Sequence, residues 1–413
     1  MFDVHDLSLI LPEVTLTVGA ILLLMYGAFR GNRAAVGIAL LSVVVLVVVL
    51  YYLPSPAEPL YGFNGLIRVD AFTQFAKGLV VLASMLVLVM CTDWLAHESR
   101  KRFEFPILIL LSVVGSMIMV SANDLLTVYV GLELSSLALY VLASFERDNL
   151  RSTEAGLKYF VLGALASGML LYGASLIYGF AGSTNFTALA DLFSNRTESS
   201  TLVAPGLIVG LVMVMVGFCF KISAVPFHMW TPDVYQGAPT PVTAFFATAP
   251  KIAALTLFVR FLFEPFGDLG PDWQQIVIVI SIASMVVGAL GAIVQTNLKR
   301  LLAYSSIGHI GYNLIGLATG DVEGAKGVLI YMTLYIFMSI GTFGYLLLMR
   351  RNDQPVESIS DLSGLARTSP MSALFLAVMM FSMAGIPPLA GFYGKLFVFL
   401  SAIEGELYVL AVV

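Results

Sequence analysis

The stretch NDLLTVYVGLELSSLALYVLASF, residues 123–145, places one glutamate inside an otherwise uncharged apolar run. From Leu125 to Ala143 the only charged residue is Glu133, and a helix needs roughly 20 mostly apolar residues to cross a bilayer. Glu133 lies nine residues after Asp124, so its short side chain cannot reach either boundary. The stretch therefore predicts a membrane-spanning helix with an ionisable group near its middle.

The whole chain has the same apolar character. Of its 413 residues 59% are hydrophobic and only 11% are charged, whereas a soluble domain carries about 25% charged residues. This composition excludes a soluble enzyme, a secreted disulfide scaffold and a nucleic-acid-binding protein. The net charge of -5 is small, and two cysteines are too few for a structural metal site. We predict an all-α, polytopic membrane helix bundle whose surroundings are lipid, with no nucleic acid as a partner and no bound metal.

Continuous apolar runs predict twelve membrane spans and the start of a thirteenth. The twelve runs cover residues 8–28, 34–53, 70–91, 104–121, 124–143, 156–180, 203–222, 240–262, 273–295, 301–319, 326–349 and 371–400. The thirteenth begins near Leu407, and because the sequence stops inside it, we expect the protein to continue past Val413.

The basic residues of the connecting segments are distributed unequally. Connections after odd-numbered spans hold 12 of them: Arg30, Arg33, Arg100, Lys101, Arg102, Arg147, Arg151, Lys299, Arg300, Arg350, Arg351 and Arg367. Connections after even-numbered spans hold 4: Arg68, Arg196, Arg260 and Lys326. Since segments rich in Lys and Arg stay in the cytoplasm, we predict that the N-terminus lies outside.

We single out seven ionisable residues inside the predicted spans. They are Lys77, Lys158, Lys221, Lys251, Lys395, Glu133 and His309. An ionisable group near the bilayer centre costs about 2.5–3.5 kcal/mol on insertion scales and generally marks an ion or proton pathway. Lys77 and Lys158 are close to span ends, where a lysine can extend to the interface. We therefore interpret Lys77 as structural and leave Lys158 open between a structural and a functional role.

Lys221 and Lys395 each lie beside a segment that cannot form a regular helix. Pro226 follows Lys221 in VGFCFKISAVPFHMW, and Lys395 follows GIPPLAGFYG. Broken helices at membrane depth are tolerated where they line a cavity, and their free backbone groups help to bind ions. Lys251 is mid-span beside Pro250, which also frees a carbonyl. These three lysines are therefore candidate proton-handling residues.

The two breaks lie five spans apart, in spans 7 and 12. An odd offset turns the second unit upside down relative to the first, as in transporters with inverted repeats. We predict N-terminal helices over residues 1–103, a first inverted repeat over 104–262 and a second over 263–413.

Two histidines are further candidates. Ser305, His309 and Tyr312 are spaced i, i+4 and i+7 and share one helix face, which would suit a chain of waters inside an apolar bundle. His228 lies beside the break in span 7. A lone buried histidine is often structural, so both alternatives stay open for each.

A carboxylate and a lysine that can separate and rejoin could take up and release a proton. Burial disfavours the charged form of each group and pairing favours it. We expect Glu133 with Lys158 or Lys221, followed by Lys251, His309 and Lys395, to form such stations. The chain has no glycine-rich dinucleotide turn and no cysteine cluster for iron–sulfur, so we predict no redox centre in it.

Five blocks of sequence resemble the antiporter-like membrane subunits of respiratory complex I, the bacterial proton-translocating NADH–quinone oxidoreductase. The blocks are NDLLTVYVGLELSSLALYVLASF, EAGLKYFVLGALASGMLLYGASLIYG, FKISAVPFHMWTPDVYQGAPTPVTAFFATAPK, NLKRLLAYSSIGHIGYNLIG and AGIPPLAGFYGKLFVF. The resemblance implies 14 helices, with two inverted five-helix repeats and breaks in helices 7 and 12. It implies that Glu133, Lys158, Lys221, Lys251 and Lys395 handle protons.

The resemblance also implies where the chain works and with what. We expect a bacterial inner membrane location, with the N-terminus on the periplasmic side, and other complex I membrane subunits, including sister antiporter-like subunits, as partners. FMN, iron–sulfur clusters and quinone are expected in other subunits of the complex. Two alternatives remain: a subunit of a multisubunit cation/proton antiporter, and a passive scaffold. The scaffold is disfavoured because it gives no reason for several charges at mid-membrane depth.

Overall fold

The computed structural model describes residues 4–54, 56–97, 100–194, 204–351 and 354–413. These residues are mostly α-helical, and the predicted all-α class is confirmed. The contacts divide the chain into two compact units, Met1–Lys221 with Ala249–Asp268, and Ile222–Thr248 with Leu269–Val413. The three predicted segments, 1–103, 104–262 and 263–413, and their inverted relationship stay predictions.

The described residues contain nineteen α-helices and two short hairpins. The helices up to the end of the seventh predicted span are α1 (Val4–Leu9), α2 (Leu11–Arg30), α3 (Ala35–Tyr51), α4 (Ala71–Ala96), α5 (Glu104–Ser121), α6 (Leu125–Ala143), α7 (Leu150–Ala181), α8 (Phe186–Ser194) and α9 (Pro205–Ile222). The later helices are α10 (Thr231–Gly237), α11 (Thr240–Ala247), α12 (Ala249–Phe263), α13 (Gly270–Ile293), α14 (Leu298–Thr319), α15 (Val322–Leu348), α16 (Leu365–Thr368), α17 (Pro370–Ala384), α18 (Ala390–Glu404) and α19 (Tyr408–Val412). The hairpins pair β1 (Leu60–Gly62) with β2 (Ile67–Val69), and β3 (Arg350–Arg351) with β4 (Gln354–Pro355).

Nine segments within the described residues are long and apolar enough to cross a membrane. This count differs from the twelve predicted spans for identifiable reasons. Helices α2 and α3 join through a short 3₁₀ turn, Gly31–Ala34, and count as one segment. The last predicted span is divided into α17 and α18, which are 15 residues each. Helix α14 is long enough but is not among the nine, and it carries the polar residues around His309.

Two predicted spans are each formed by a pair of helices. Residues 240–262 form α11 and α12, which meet at Thr248 with φ -120° and ψ -91°. Pro250 stands in the first turn of α12, where its missing N–H leaves no helical donor unpaired. Residues 371–400 form α17 and α18, and Gly385 ends α17 with φ 87°, a left-handed conformation that glycine adopts without strain.

Polar caps fix the starts of several long helices. Asp70, Asp124, Asn149, Asn297 and Asp321 precede α4, α6, α7, α14 and α15, and each side chain accepts a hydrogen bond from a backbone N–H in the first turn. Such caps satisfy groups that the helix leaves unpaired. The apolar runs therefore begin at defined residues.

Close helix packing depends on glycine in both units. In the first unit α5 packs on α6 with Gly115 against Ser135, and a Cβ at Gly115 would lie 2.3 Å from the Ser135 backbone nitrogen. In the second unit α13 packs on α14, and a Cβ at Gly288 would lie 2.5 Å from the Gly308 nitrogen. Small residues allow such close approach between membrane helices. These two pairs set the spacing of the helices that carry Glu133 and His309.

The short elements in the connections were not predicted. They include the β1–β2 and β3–β4 hairpins, α8, α10 and α16. Asn64 and Gly65 lie in the β1–β2 connection with φ 56° and 82°, and Asn-Gly is a sequence signal for a tight hairpin. One connecting residue of the charge count, Arg260, instead lies inside α12, and Arg196 lies outside the described residues. The predicted side of the N-terminus stays a prediction.

Candidate functional site

Lys221 lies in the last turn of α9 and is almost fully buried, with 4% of its surface exposed. Its Nζ donates a hydrogen bond to Ser136 Oγ at 2.6 Å and lies 5.9 Å from the centre of the Tyr159 ring. Beside it is a cavity of about 10 Å³, measured as the space open to the centre of a water molecule, which Tyr140 also lines. That volume is close to the minimum for one water. Lys221 is thus held among neutral polar groups with room for a proton carrier.

Glu133 lies in the middle of α6, one turn before Ser136. Residues three apart share a helix face, and the charge of Glu133 acts on both Lys221 and Tyr140. The carboxylate and the Lys221 ammonium form no direct ion pair among the described residues. Ser136 therefore stands as the hydrogen-bonding partner of Lys221 while Glu133 acts on it from a greater distance.

Lys158 is placed differently from the other candidates. Its Nζ forms an ion pair with Glu154 Oε1 at 2.7 Å, one turn earlier in α7. The two side chains are 41% and 55% exposed. The charge of Glu133 acts on Lys221, the other predicted partner.

Lys251 is buried in the first turn of α12, with 1% of its surface exposed. Helix α12 packs against α4 and α5. All residues from Ala249 to Leu262 are buried, so the Lys251 ammonium lies in the interior of the first unit. The predicted mid-span position of Lys251 agrees with this burial.

The other end of α12 carries a charged cluster that the sequence analysis did not identify. Arg260 donates through Nη2 to Asp70 Oδ2 at 2.6 Å and through Nη1 to Thr73 Oγ1 at 2.7 Å. Arg68 contacts Asp70 at 2.8 Å and Glu264 at 2.8 Å. The four charged residues tie the end of α12 to the start of α4.

Burial and the neighbouring arginines shift the pKa values of the two carboxyl groups in this cluster in opposite directions. Burial alone would raise the pKa of the Asp70 carboxyl, but Arg260 and the hydrogen bonds from Thr73 outweigh it and lower the pKa to about 2. Burial raises the pKa of Glu264 above its usual value, although Arg260 and Arg68 act against it. Asp70 is therefore the firmly ionised member of the cluster, and Glu264 is the more easily protonated one.

In the second unit, His309 lies at the centre of a hydroxyl cluster. His309 is 5% exposed, and its Nδ1 shares a hydrogen bond with Tyr331 Oη at 2.6 Å. The Tyr335 ring lies 5.0 Å from the imidazole, and its hydroxyl donates to Ser306 Oγ at 2.8 Å. The predicted stripe named Ser305, but it is Ser306 that joins the cluster, because its side chain is buried toward α15 while Ser305 is partly exposed.

Lys395 adjoins the same aromatic group. Its Nζ donates to the Ala384 carbonyl at 2.9 Å, at the end of α17, and lies 4.3 Å from the centre of the Tyr312 ring. Tyr312 stacks on Tyr331 with 6.4 Å between centres and 22° between planes. The broken helix therefore supplies the carbonyl that holds Lys395, as the position of the break predicts. A chain of aromatic contacts leads from it to His309.

His228 lies in the non-helical stretch between α9 and α10. Its ring interacts with the backbone of Pro226, and its Nδ1 is buried with no hydrogen-bond partner among the described residues. An unpaired ring nitrogen suits either a water or a catalytic partner. The role predicted for His228 stays a prediction.

Besides the charged cluster around Asp70, the sequence analysis missed several neutral partners of the predicted charges. They are Ser136, Tyr159, Tyr331, Tyr335 and Ser306. Ser136 carried a signal, since it follows Glu133 at i+3 in the run ELSS. The tyrosines carried none, because tyrosine is common in membrane helices. Only the packing of α14 on α15 brings Tyr331 and Tyr335 to His309.

Comparisons with known proteins agree on the family. The family model described as NADH:quinone oxidoreductase/Mrp antiporter, TM matches residues 122–413. NADH-quinone oxidoreductase subunit N of Rhodospirillum rubrum is 55% identical over 98% of this chain and 82% of that protein. Subunit N of Paramagnetospirillum magneticum is 53% identical over 100% of this chain and 85% of that protein.

Solved structures show the same fold. A chain of respiratory complex I from Thermus thermophilus with bound aureothin superposes with a TM-score of 0.79 and 33% identity, over 97% of this chain and 85% of that one. A chain of the Mrp complex from Dietzia sp. gives a TM-score of 0.82 over 98% of this chain and 76% of that one. Its 24% identity supports a shared fold alone. With buried lysines beside broken helices and identities of 55% and 53% to two subunit N proteins over nearly its whole length, this chain belongs to the antiporter-like membrane subunits of NADH:quinone oxidoreductase, in the subunit N family.

Proposed function

We propose that this chain is a proton-translocating membrane subunit of a bacterial NADH:quinone oxidoreductase. Its buried lysines take up and release protons while electrons pass from NADH to quinone in other subunits. FMN, the iron–sulfur clusters and the quinone site belong to those partners, and this chain acts as a non-redox translocase. It assembles with sister antiporter-like subunits in the inner membrane, with its N-terminus on the periplasmic side.

The observation that carries the proposal is the arrangement around Lys221. A buried ammonium is held by one hydroxyl, a ring face and a space for water, with a carboxylate acting on it without direct contact. When Glu133 moves closer, its charge stabilises the proton on Lys221, because Coulomb energies are large where the dielectric constant is low. When it moves away, the buried ammonium is favoured to release its proton.

The second unit also holds a lysine by neutral groups, but these groups differ from those around Lys221. Lys395 is held by a carbonyl at a helix break and by the Tyr312 ring. His309 can exchange protons through Tyr331, since both ends of a tyrosine–imidazole hydrogen bond can donate or accept. We infer that Lys221 and Lys251 act in the first unit and that His309 and Lys395 act in the second.

The test is proton translocation by the assembled complex in membrane vesicles, normalised to the amount of complex. We expect Lys221→Ala and Lys395→Ala each to reduce NADH-driven acidification by at least tenfold, as measured by the quenching of a pH-sensitive dye. Lys326→Ala is the matched control. Its ammonium is 59% exposed and pairs on the surface with Glu323, so translocation should be unchanged.

Assembled Lys221→Ala and Lys395→Ala complexes that pump at the wild-type rate would overturn the proposal in favour of a scaffold. The subunits that co-purify with this chain distinguish the complex I hypothesis from the antiporter hypothesis. Flavin and iron–sulfur subunits should accompany this chain, whereas an antiporter assembly would hold neither and would exchange cations without NADH.

A further inference from the structure

A second set of buried charges lies away from the lysines discussed so far, on one face of α4. Asp70, Thr73, Gln74 and Lys77 follow one another at i, i+3, i+4 and i+7, and this spacing places them on the same helix face. Their exposed fractions are 8%, 0%, 9% and 0%. We call these four residues the α4 polar stripe. Its last member, Lys77, was predicted to extend to the interface, but its ammonium is completely buried.

The reason for this burial is a partner on α2. Lys77 Nζ lies 2.5 Å from Glu13 Oε1, and their side chains are 0% and 7% exposed. Glu13 is in the first turn of α2 and Lys77 is in the second turn of α4. Both charges therefore lie inside the first unit, near the end of the bundle where these two helices begin.

The α4 polar stripe and its partner Glu13 contain several polar atoms without a hydrogen-bond partner among the described residues. They are Gln74 Nε2 and Oε1, both carboxylate oxygens of Glu13, and Lys77 Nζ, whose contact with Glu13 is an ion pair without hydrogen-bond geometry. Leaving buried polar atoms unpaired is costly, and buried water usually satisfies such groups with two to four hydrogen bonds. Donors and acceptors stand together here, which suits water because it is both a donor and an acceptor.

The stripe also has an end near the solvent. Asp70, its first member, is joined to Arg68 and Arg260, and through Arg68 to Glu264. The Arg68 side chain is 20% exposed and that of Glu264 is 31% exposed. Seven residues of helix separate Asp70 from Lys77, which is roughly 10 Å along the axis. A few waters would be enough to connect the exposed cluster with the buried pair.

We propose that Glu13, Lys77 and Gln74 form a hydrated proton-exchange site that opens at the end of the bundle where α2 and α4 begin. The inference rests on the proposed function and adds a site distinct from Lys221, Lys251 and Lys395. A hydronium ion that reaches the waters beside Gln74 gives its proton to the Glu13 carboxylate, which leaves a neutral water and breaks the ion pair between Glu13 and Lys77. Release of that proton to water restores the pair, and no group is oxidised or reduced.

A simple structural clamp between α2 and α4 is the competing explanation, and ordered water distinguishes the two. In a high-resolution map of the assembled wild-type complex, we expect water density within hydrogen-bond distance of Gln74 and of either Glu13 or Lys77. A dry gap filled by side chains would overturn the proposal. This measurement needs no variant, so it applies even if the substitutions below prevent folding.

The functional test removes both charges together, because removing one would leave the other buried without a partner. We expect the Glu13→Gln/Lys77→Met variant to assemble and to translocate protons at less than half the wild-type rate per complex. Gln74→Leu should have the same direction of effect. Ser84→Ala is the matched control, since Ser84 is also buried on α4 but its hydroxyl donates to the Val80 carbonyl within the helix.

The outcomes separate this inference from the function on which it rests. If Lys221→Ala abolishes pumping while the assembled Glu13→Gln/Lys77→Met complex pumps at the wild-type rate, the exchange site is refuted and the proposed function stands. If Lys221→Ala also pumps normally, the proposed function fails as well. Loss of pumping in the double variant but not in Ser84→Ala supports the site.

Discussion

Replacing Asp70 with Asn should destabilise the first unit by about 3 kcal/mol at neutral pH. The Arg260 guanidinium is 3% exposed and donates to Asp70 at 2.6 Å. Removing one partner of a buried ion pair costs about 3–5 kcal/mol because the other charge is left uncompensated. Glu264 still lies 3.4 Å from Arg260 Nε, so we expect the lower end of that range. Asn can still accept the capping hydrogen bond from the Thr73 nitrogen.

The pKa of Asp70 gives a second estimate of the same quantity. The folded pKa is about 2 against an ordinary value of 3.8, and at about 1.36 kcal/mol per tenfold change in proton affinity this is about 2 kcal/mol. Because the folded pKa is the lower one, the stabilisation is fully present above about pH 4 and is lost as the pH falls toward 2. The advantage of wild type over Asp70→Asn should therefore shrink across that window.

The measurement is the free energy of unfolding of the detergent-solubilised full chain, from titration with a denaturing detergent at pH 7 and at several values below pH 4. Glu323→Gln is the control, since its pair with Lys326 is 55% and 59% exposed and such surface pairs contribute less than about 1 kcal/mol. A difference between wild type and Asp70→Asn below about 0.5 kcal/mol at pH 7 would refute the reasoning. So would a difference that stays constant down to pH 2.

Two further substitutions test the packing and the hydroxyl cluster. Gly115→Ala should impair assembly of the complex, as measured on native gels. The new Cβ would lie 2.3 Å from the Ser135 backbone nitrogen, and this contact can be relieved only if α5 moves away from α6. Normal assembly would contradict the prediction. Tyr331→Phe keeps the ring but removes the hydroxyl that shares a hydrogen bond with His309. Proton translocation should therefore fall severalfold while assembly is retained. An unchanged rate would exclude that hydroxyl from proton transfer.

Much of the helical architecture could be predicted because the bilayer imposes it. A backbone in hydrocarbon must satisfy its own hydrogen bonds, so a long apolar run becomes a helix. The predicted spans 104–121 and 124–143 agree with α5 and α6 within one residue. The break between α11 and α12 was not predicted, because Pro250 can occupy either the first turn of a helix or a kink within one, and only the geometry at Thr248 decides between them.

Burial of single charges was predictable, whereas their partners were not. Lys251 is buried as its mid-span position indicates, and Lys221 is buried at the end of its span, beside the segment that contains Pro226. Lys77 has the same side chain near a helix end, where extension to the interface was expected, yet it turns inward to Glu13. The two residues lie on α2 and α4, with α3 between them in sequence. The periodicity of one helix carries no information about which residues of the other helix it contacts. Only the packing of the first unit brings them together.

The distribution of neutral partners distinguishes charges that hold the structure from charges that can exchange protons. Arg260 donates to a carboxylate and a hydroxyl at 2.6 and 2.7 Å, and its Nε lies 3.4 Å from Glu264. Because an arginine cannot lose its proton, its cluster is a fixed clamp. Lys221 is held by one hydroxyl beside a small cavity, and a lysine with few partners can release its proton when a nearby charge moves. Glu13 and Lys77 combine direct pairing with unpaired atoms around them. Their local chemistry therefore resembles Lys221 more than Arg260, although the sequence position of Lys77 suggests a purely structural residue.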